Sequence, residues 1–73
     1  LSGFDDQWYR DLILKALKDH GELRRIDFDK LLIPKLPGVL SAGQKKNRID
    51  RLLRELRVKG LIAAGKDRIW RLT

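Results

Sequence analysis

Residues 41–60 constrain the fold most, because their sequence specifies one long amphipathic helix. Ser41 and Gln44 match the S-x-x-Q capping box that starts a helix, and Gly60 is typical of the residue that ends one. Four aliphatic residues follow the i, i+3, i+4, i+7 spacing of a single buried stripe: Ile49, Leu52, Leu53 and Leu56. With 73 residues, the chain can bury this stripe only against a few further elements of one small domain.

A first helix is predicted between Asp5 as N-cap and Gly21 as the residue that stops it. Its apolar residues recur at helical spacing and predict a second buried stripe, made of Tyr9, Leu12, Ile13, Ala16 and Leu17. Trp8 and Leu14 fall at the edges of this stripe. They are expected to cover the helix ends or to face a neighbouring domain.

A second, shorter helix is predicted after a short extended segment "ELRRI", with Asp27 as its N-cap. Pro34 removes a backbone donor and disfavours helical geometry at the residue before it, so this helix should end there. The connection 34–40 contains two prolines and a glycine between apolar residues. It predicts an ordered loop whose inward-facing side chains are Leu36, Val39 and Leu40.

The C-terminal residues predict a β-hairpin, with strands at 61–64 and 68–72 on either side of "GKD". The element order is then helix, extended segment, helix, loop, basic helix and hairpin. This order is typical of a winged helix-turn-helix domain. We therefore expect an α+β fold over 1–73, with three helices and a small C-terminal β-hairpin wing.

The positive charge is confined to one half of the chain. Residues 41–73 carry ten Lys/Arg and three Asp/Glu, and so account for the whole net charge of +7, whereas residues 1–40 are neutral. A solubilising surface would not need this segregation. The asymmetry favours an anionic partner for the C-terminal half.

Duplex DNA is the expected partner, because a major groove about 12 Å wide admits one helix and a wing can reach the flanking phosphates. Glutamine and asparagine side chains suit adenine, arginine suits guanine, and lysine or arginine suits phosphate. The candidate DNA-binding residues are Gln44, Lys45, Lys46, Asn47, Arg48, Arg51, Arg54, Lys66, Arg68 and Arg71. The alternative is that these are ordinary solvated charges on a surface helix.

The stretch "LLIPKLPGVLSAGQKKNRIDRLLRELRVKGLI" at 31–62 resembles the C-terminal winged-helix segment of the RecG-related ATP-dependent DNA helicases. The resemblance is carried by Leu31-Leu32, Lys35-Leu36, Val39-Leu40-Ser41, Gln44-Lys45-Lys46-Asn47 and Gly60-Leu61-Ile62. It implies a longer parent protein that joins a divergent AAA-type ATP-binding domain to this module. A transcription-regulatory parent is the other expectation for a winged-helix DNA-binding module. The seven-residue connection 34–40 is longer than the usual three- or four-residue turn, so base contacts of short-turn repressors do not transfer.

The residue inventory argues against an enzyme. The chain has one histidine, His20, which is expected near a helix C-terminus, and no cysteine. The "GKD" at 65–67 lacks the remaining residues of a phosphate-binding loop, and no metal-ligand spacing occurs. We therefore expect no catalytic residue, no metal and no cofactor in this domain. An ATP-dependent activity would belong to the parent protein.

Two other partners remain open from the sequence. A protein-interaction winged helix would dock domains or subunits of the parent, and exposed Trp8 and Leu14 would favour it. Structured RNA is a third possibility, bound by shape through the basic face. No apolar run is long enough for a membrane span or signal-peptide core, so we expect a cytoplasmic protein with no membrane partner. The chain contains no methionine. We expect an excised domain of a longer protein, with 1–3 a remnant of cloning.

Overall fold

Three helices and three short strands make up the computed structural model, which describes residues 5–73. The expected cloning remnant at 1–3 lies outside the described residues. In chain order the elements are α1 (Asp6–His20), β1 (Glu22–Arg24), α2 (Arg25–Leu32), a 3₁₀ turn (Ile33–Lys35), α3 (Ala42–Val58), β2 (Ile62–Ala64) and β3 (Ile69–Leu72). The predicted α+β class, with three helices and a C-terminal hairpin, is confirmed, and the layout is winged-helix-like.

Helix α1 has the predicted caps. The Asp5 carboxylate accepts a hydrogen bond from the Trp8 amide at 2.9 Å, which satisfies a free donor of the first turn. Gly21 ends the helix at φ 82°, a left-handed conformation that favours glycine. The stripe that faces the core is buried as predicted except for Leu12, which is half-buried at its edge; its buried members are Tyr9, Ile13, Ala16 and Leu17.

The predicted start of α2 is wrong. The helix begins at Arg25, with Arg24 as N-cap, and Asp27 occupies its third position rather than the cap. The Arg24 amide donates to Asp27 Oδ2 at 2.9 Å, and this bond holds the pKa of the Asp27 carboxyl below its usual value. An aspartate at the third position of a helix accepts a hydrogen bond from a free amide at the helix start, as an N-cap aspartate also does. The presence of Asp27 therefore predicts that a helix starts nearby but does not determine at which residue it starts.

The connection between α2 and α3 is ordered, but one of its side chains was predicted wrongly. Pro34 lies within the 3₁₀ turn that follows Leu32, as its missing donor requires. Leu36 is buried and Leu40 is half-buried, as the prediction requires, whereas Val39 is 88% exposed. The Leu40 amide donates to the Pro37 carbonyl at 3.1 Å. This bond closes a tight turn and places Val39 at its tip.

Helix α3 forms as predicted. The Ser41 hydroxyl accepts from the Gln44 amide at 3.1 Å, and the Gln44 side-chain oxygen accepts from the Ser41 amide at 2.8 Å. At the other end Gly60 adopts φ 77°, and the Leu61 amide donates to the Leu56 carbonyl in a Schellman motif. The predicted stripe lies in the core with at most 2% exposure: Ile49, Leu52, Leu53 and Leu56.

The hairpin strands β2 and β3 form part of a three-stranded antiparallel sheet in the order β1-β3-β2. Each hairpin strand begins one residue later than predicted. Trp70 of the central strand pairs with Leu23 on one side and with Ala64 on the other. The pairing with β1 joins the N-terminal half of the chain to the wing, and α1 packs against this sheet. The core is therefore one cluster that includes residues of all three helices and β2.

Candidate nucleic-acid interface

The ten predicted DNA-binding residues lie on α3 and the wing, but the structure divides them between different surfaces. Four of them, together with Leu40, line a shallow depression of about 290 Å³: Gln44, Asn47, Arg48 and Arg51. Asn47 is exposed. The side-chain oxygen of Gln44 is already engaged in the helix cap, so a bidentate contact with adenine, which uses both the oxygen and the nitrogen, would compete with that cap.

The two arginines of this depression are held by a carboxylate of α1. Arg48 Nε donates to Asp6 Oδ1 at 2.8 Å, and Arg51 Nη2 donates to Asp6 Oδ2 at 2.8 Å. We call these three residues the Asp6 clasp. The Arg48 guanidinium also lies 5.6 Å from the centre of the Tyr9 ring, within the range of a cation–π contact. A nucleic acid would therefore have to compete with Asp6 for both arginines.

Replacing Asp6 by asparagine is expected to raise duplex affinity about 3- to 10-fold at low salt, because each cation released toward phosphate strengthens binding. The same change should lower the free energy of unfolding by about 1 kcal/mol, since the ion pairs are partly exposed. Fluorescence anisotropy and thermal unfolding measure the two effects. Asp11→Asn is the matched control, since Asp11 is an exposed carboxylate of the same helix that binds only Gln7 among the described residues. An equal gain from both variants would contradict a specific clasp.

A second concave surface lies between α3 and the hairpin. This wing groove has a volume of about 390 Å³ and is lined by Arg25, Asp50, Leu53, Arg54, Arg57, Ala64, Arg68 and Trp70. The predicted residues Arg54 and Arg68 come together here, from two elements far apart in sequence. Trp70 is half-buried and forms part of the groove wall.

The arginines of the C-terminal half differ in whether they have partners. Arg48 and Arg51 bind Asp6, and Arg71 binds Glu22 and Asp67. In contrast, no hydrogen bond or ion pair within residues 5–73 involves the side chains of the remaining three, which are Arg54, Arg57 and Arg68. All three line the wing groove. The arginines of the C-terminal half that are free to bind an external anion are therefore concentrated on one surface.

Two basic residues of the groove were absent from the predicted set. Arg57 follows Arg54 by three positions and lies on the same side of α3 as Asp50. The helical spacing alone could therefore have placed Arg57 beside Arg54 on the side of α3 that faces the hairpin. Arg25 pairs with Asp29 at 3.1 Å and with Asp50. It also donates to the Lys46 carbonyl of α3 at 3.1 Å. Nothing in the sequence around Arg25 signals these contacts across the helix pair.

The remaining predicted cations lie outside both depressions. Lys45 is half-buried in the first turn of α3, and Lys46 and Lys66 are exposed. Arg71 contacts Asp67 at 3.2 Å and Glu22 at 3.3 Å. The Ile69 amide donates a hydrogen bond to the Asp67 carboxylate, and this bond lowers the pKa of the Asp67 carboxyl. The hydrogen bond from Arg71 lowers it further, by a smaller amount. Arg71 therefore already neutralises acidic groups of the sheet and wing turn.

Comparison of the chain with protein-family models, curated proteins and solved structures finds no match. The resemblance to the RecG-related helicases therefore stays a prediction. Within residues 5–73, no cluster of three or more His, Cys, Asp or Glu side chains could hold a metal ion. In the same part of the chain, no helix is both long and apolar enough to cross a membrane.

Proposed function

We propose that this domain binds duplex DNA, with α3 at the major groove and the wing along the backbone. The observation that carries the proposal is the wing groove, where three arginines without partners meet. Arginine is well suited to phosphate because its planar guanidinium can donate two parallel hydrogen bonds. The segregated charge of +7 would add long-range attraction.

We expect only some of the predicted residues to make the first contacts with DNA. Arg54 and Arg68 are available to phosphate, and Arg57 joins them. Arg48 and Arg51 would contact DNA only after leaving Asp6. The contacts most readily made are therefore to the backbone, which would give affinity before sequence preference.

The proposed parent is a RecG-related or transcription-regulatory protein of bacterial type, acting in the cytoplasm, where its DNA would be. This module would supply binding, and no reaction is assigned to it. The protein-interaction alternative depended on Trp8 and Leu14 being exposed. Both are half-buried and packed against the core, so neither offers a large free surface.

The proposal is tested by titrating the domain with a generic duplex while recording backbone amide NMR shifts at several salt concentrations. We expect the shifts to concentrate in α3 and in the turn at 65–68. The affinity should fall steeply as salt rises, because binding to phosphates releases counterions. An absence of shifts at low salt would contradict the proposal and favour a protein partner, and shifts confined to α1 would show that DNA binds a surface other than the one proposed.

A further inference from the structure

We propose that the wing groove seats one unpaired nucleotide of a DNA strand, with its phosphate on the three free arginines and its base against Trp70. This inference rests on the proposed DNA binding and deepens it. It names the form of DNA that the domain prefers, which is a duplex with an adjoining single-stranded segment.

The charges of the groove specify an anion. Three arginines without an intramolecular partner line the groove, from α3 and the wing turn: Arg54, Arg57 and Arg68. The carboxylate among the lining residues is Asp50, which pairs with Arg25, another residue of the lining. A phosphate has oxygen atoms enough to accept bonds from several guanidinium groups at once. A cation or a neutral ligand would leave these arginines uncompensated.

The wall of the groove is suited to a nucleobase. Trp70 is flanked there by Leu53 and Ala64, so an aromatic face and apolar side chains border the arginines. The central position of Trp70 in the sheet, with strands on both sides, fixes its backbone. Aromatic platforms beside cationic grooves bind single strands through base stacking. A base inside a duplex is already stacked on both faces, so the base that meets Trp70 must be unpaired.

The size of the groove agrees with one nucleotide. Its volume of about 390 Å³ lies near the lower end of the range for small-ligand sites, which is about 300–1,000 Å³. The groove is also open at the surface, since Arg54 and Arg68 are exposed. A strand could therefore enter and leave it without being threaded.

The backbone at Arg68 fixes the position of one of the three guanidinium groups. Arg68 has φ 60° and ends the wing turn. A left-handed residue is ordinary at the end of a short hairpin loop. The Arg68 amide donates to the Gly65 carbonyl at 3.0 Å, which fixes this geometry. The turn therefore holds the start of the Arg68 side chain beside the groove.

The experiment compares a blunt duplex, the same duplex with a short single-stranded overhang, and the single strand alone. Trp8→Phe leaves Trp70 as the only tryptophan of the chain, so its fluorescence reports the groove directly. We expect the overhang to bind roughly tenfold more tightly than the blunt end, the scale of one base–aromatic stack, and to quench Trp70. Trp70→Leu should abolish this preference, so that overhanging and blunt duplexes bind this variant with equal affinity.

The outcomes distinguish a failure of this inference from a failure of the proposed duplex binding. Equal affinity for blunt and overhanging duplexes, without quenching, would overturn the inference and leave duplex binding intact. No binding to any of the DNAs would overturn both. Tighter binding of an RNA strand of the same sequence would overturn the assignment to DNA. If Trp70→Leu does not fold, Arg57→Ala replaces it, and an unchanged ratio of overhang affinity to blunt-duplex affinity would count against the inference.

Discussion

Replacement of Leu52 by alanine is expected to lower the free energy of unfolding by about 2–5 kcal/mol. Leu52 is completely buried at the centre of α3, in the cluster that joins the three helices. A domain of this length has a total stability of about 4–11 kcal/mol, so the variant should be close to unfolding at room temperature. Urea unfolding followed by far-UV circular dichroism measures the change.

Val58→Ala is the matched control for this variant. Val58 is an aliphatic residue of the same helix but is 81% exposed, so its loss should change stability by less than about 0.5 kcal/mol. An unchanged unfolding midpoint for Leu52→Ala would show that the core face of α3 has been assigned to the wrong residues. Equal losses in the two variants would show the same.

The double variant Arg54→Ala/Arg57→Ala is expected to bind a blunt DNA duplex about 60-fold more weakly at 0.1 M salt. Each phosphate contact contributes about 0.9 to the slope of log affinity against log salt concentration. Relative to 1 M salt, two lost contacts therefore lower log affinity by about 1.8 at 0.1 M. At 0.3 M salt the same loss shrinks to about ninefold. Fluorescence anisotropy over this range of salt gives both the affinity and the slope.

Lys15→Ala/Lys18→Ala removes the same formal charge from α1, where both lysines border a depression that shares no lining residue with the wing groove. Because neither lysine lines the groove and charges away from the ligand are screened at this salt, the control should lose less than about threefold. Similar losses in the two double variants would mean that DNA senses only the net charge. In that case the wing groove would have no special role.

The helices and their core faces could be predicted because their signals are local. The capping box at Ser41, the stop at Gly60 and the aliphatic spacing between them all act within a few residues. Val39 was mispredicted because an apolar residue in a proline–glycine turn can lie on either side of the chain. The pairing of β1 with β3 could not be read at all, since it depends on where two distant segments meet.

The candidate site was predictable in composition but not in geometry. The segregation of charge and the presence of arginine on α3 follow from the sequence alone. Which arginines are free depends on contacts between residues more than forty positions apart, such as those from Arg48 and Arg51 to Asp6. A sequence shows which cations exist, and only the fold shows which of them are already neutralised.

The central position of β3 has a consequence for how the domain folds. Arg71 pairs with Glu22 across 49 positions of the chain, so the sheet cannot close until its last strand is present. Closing so long a loop has an entropic cost and slows folding. During synthesis the helices would collapse first, and the wing groove would form only after residues 69–72 have left the ribosome. A nascent chain would therefore pass through its helical stage without the surface that we propose binds DNA.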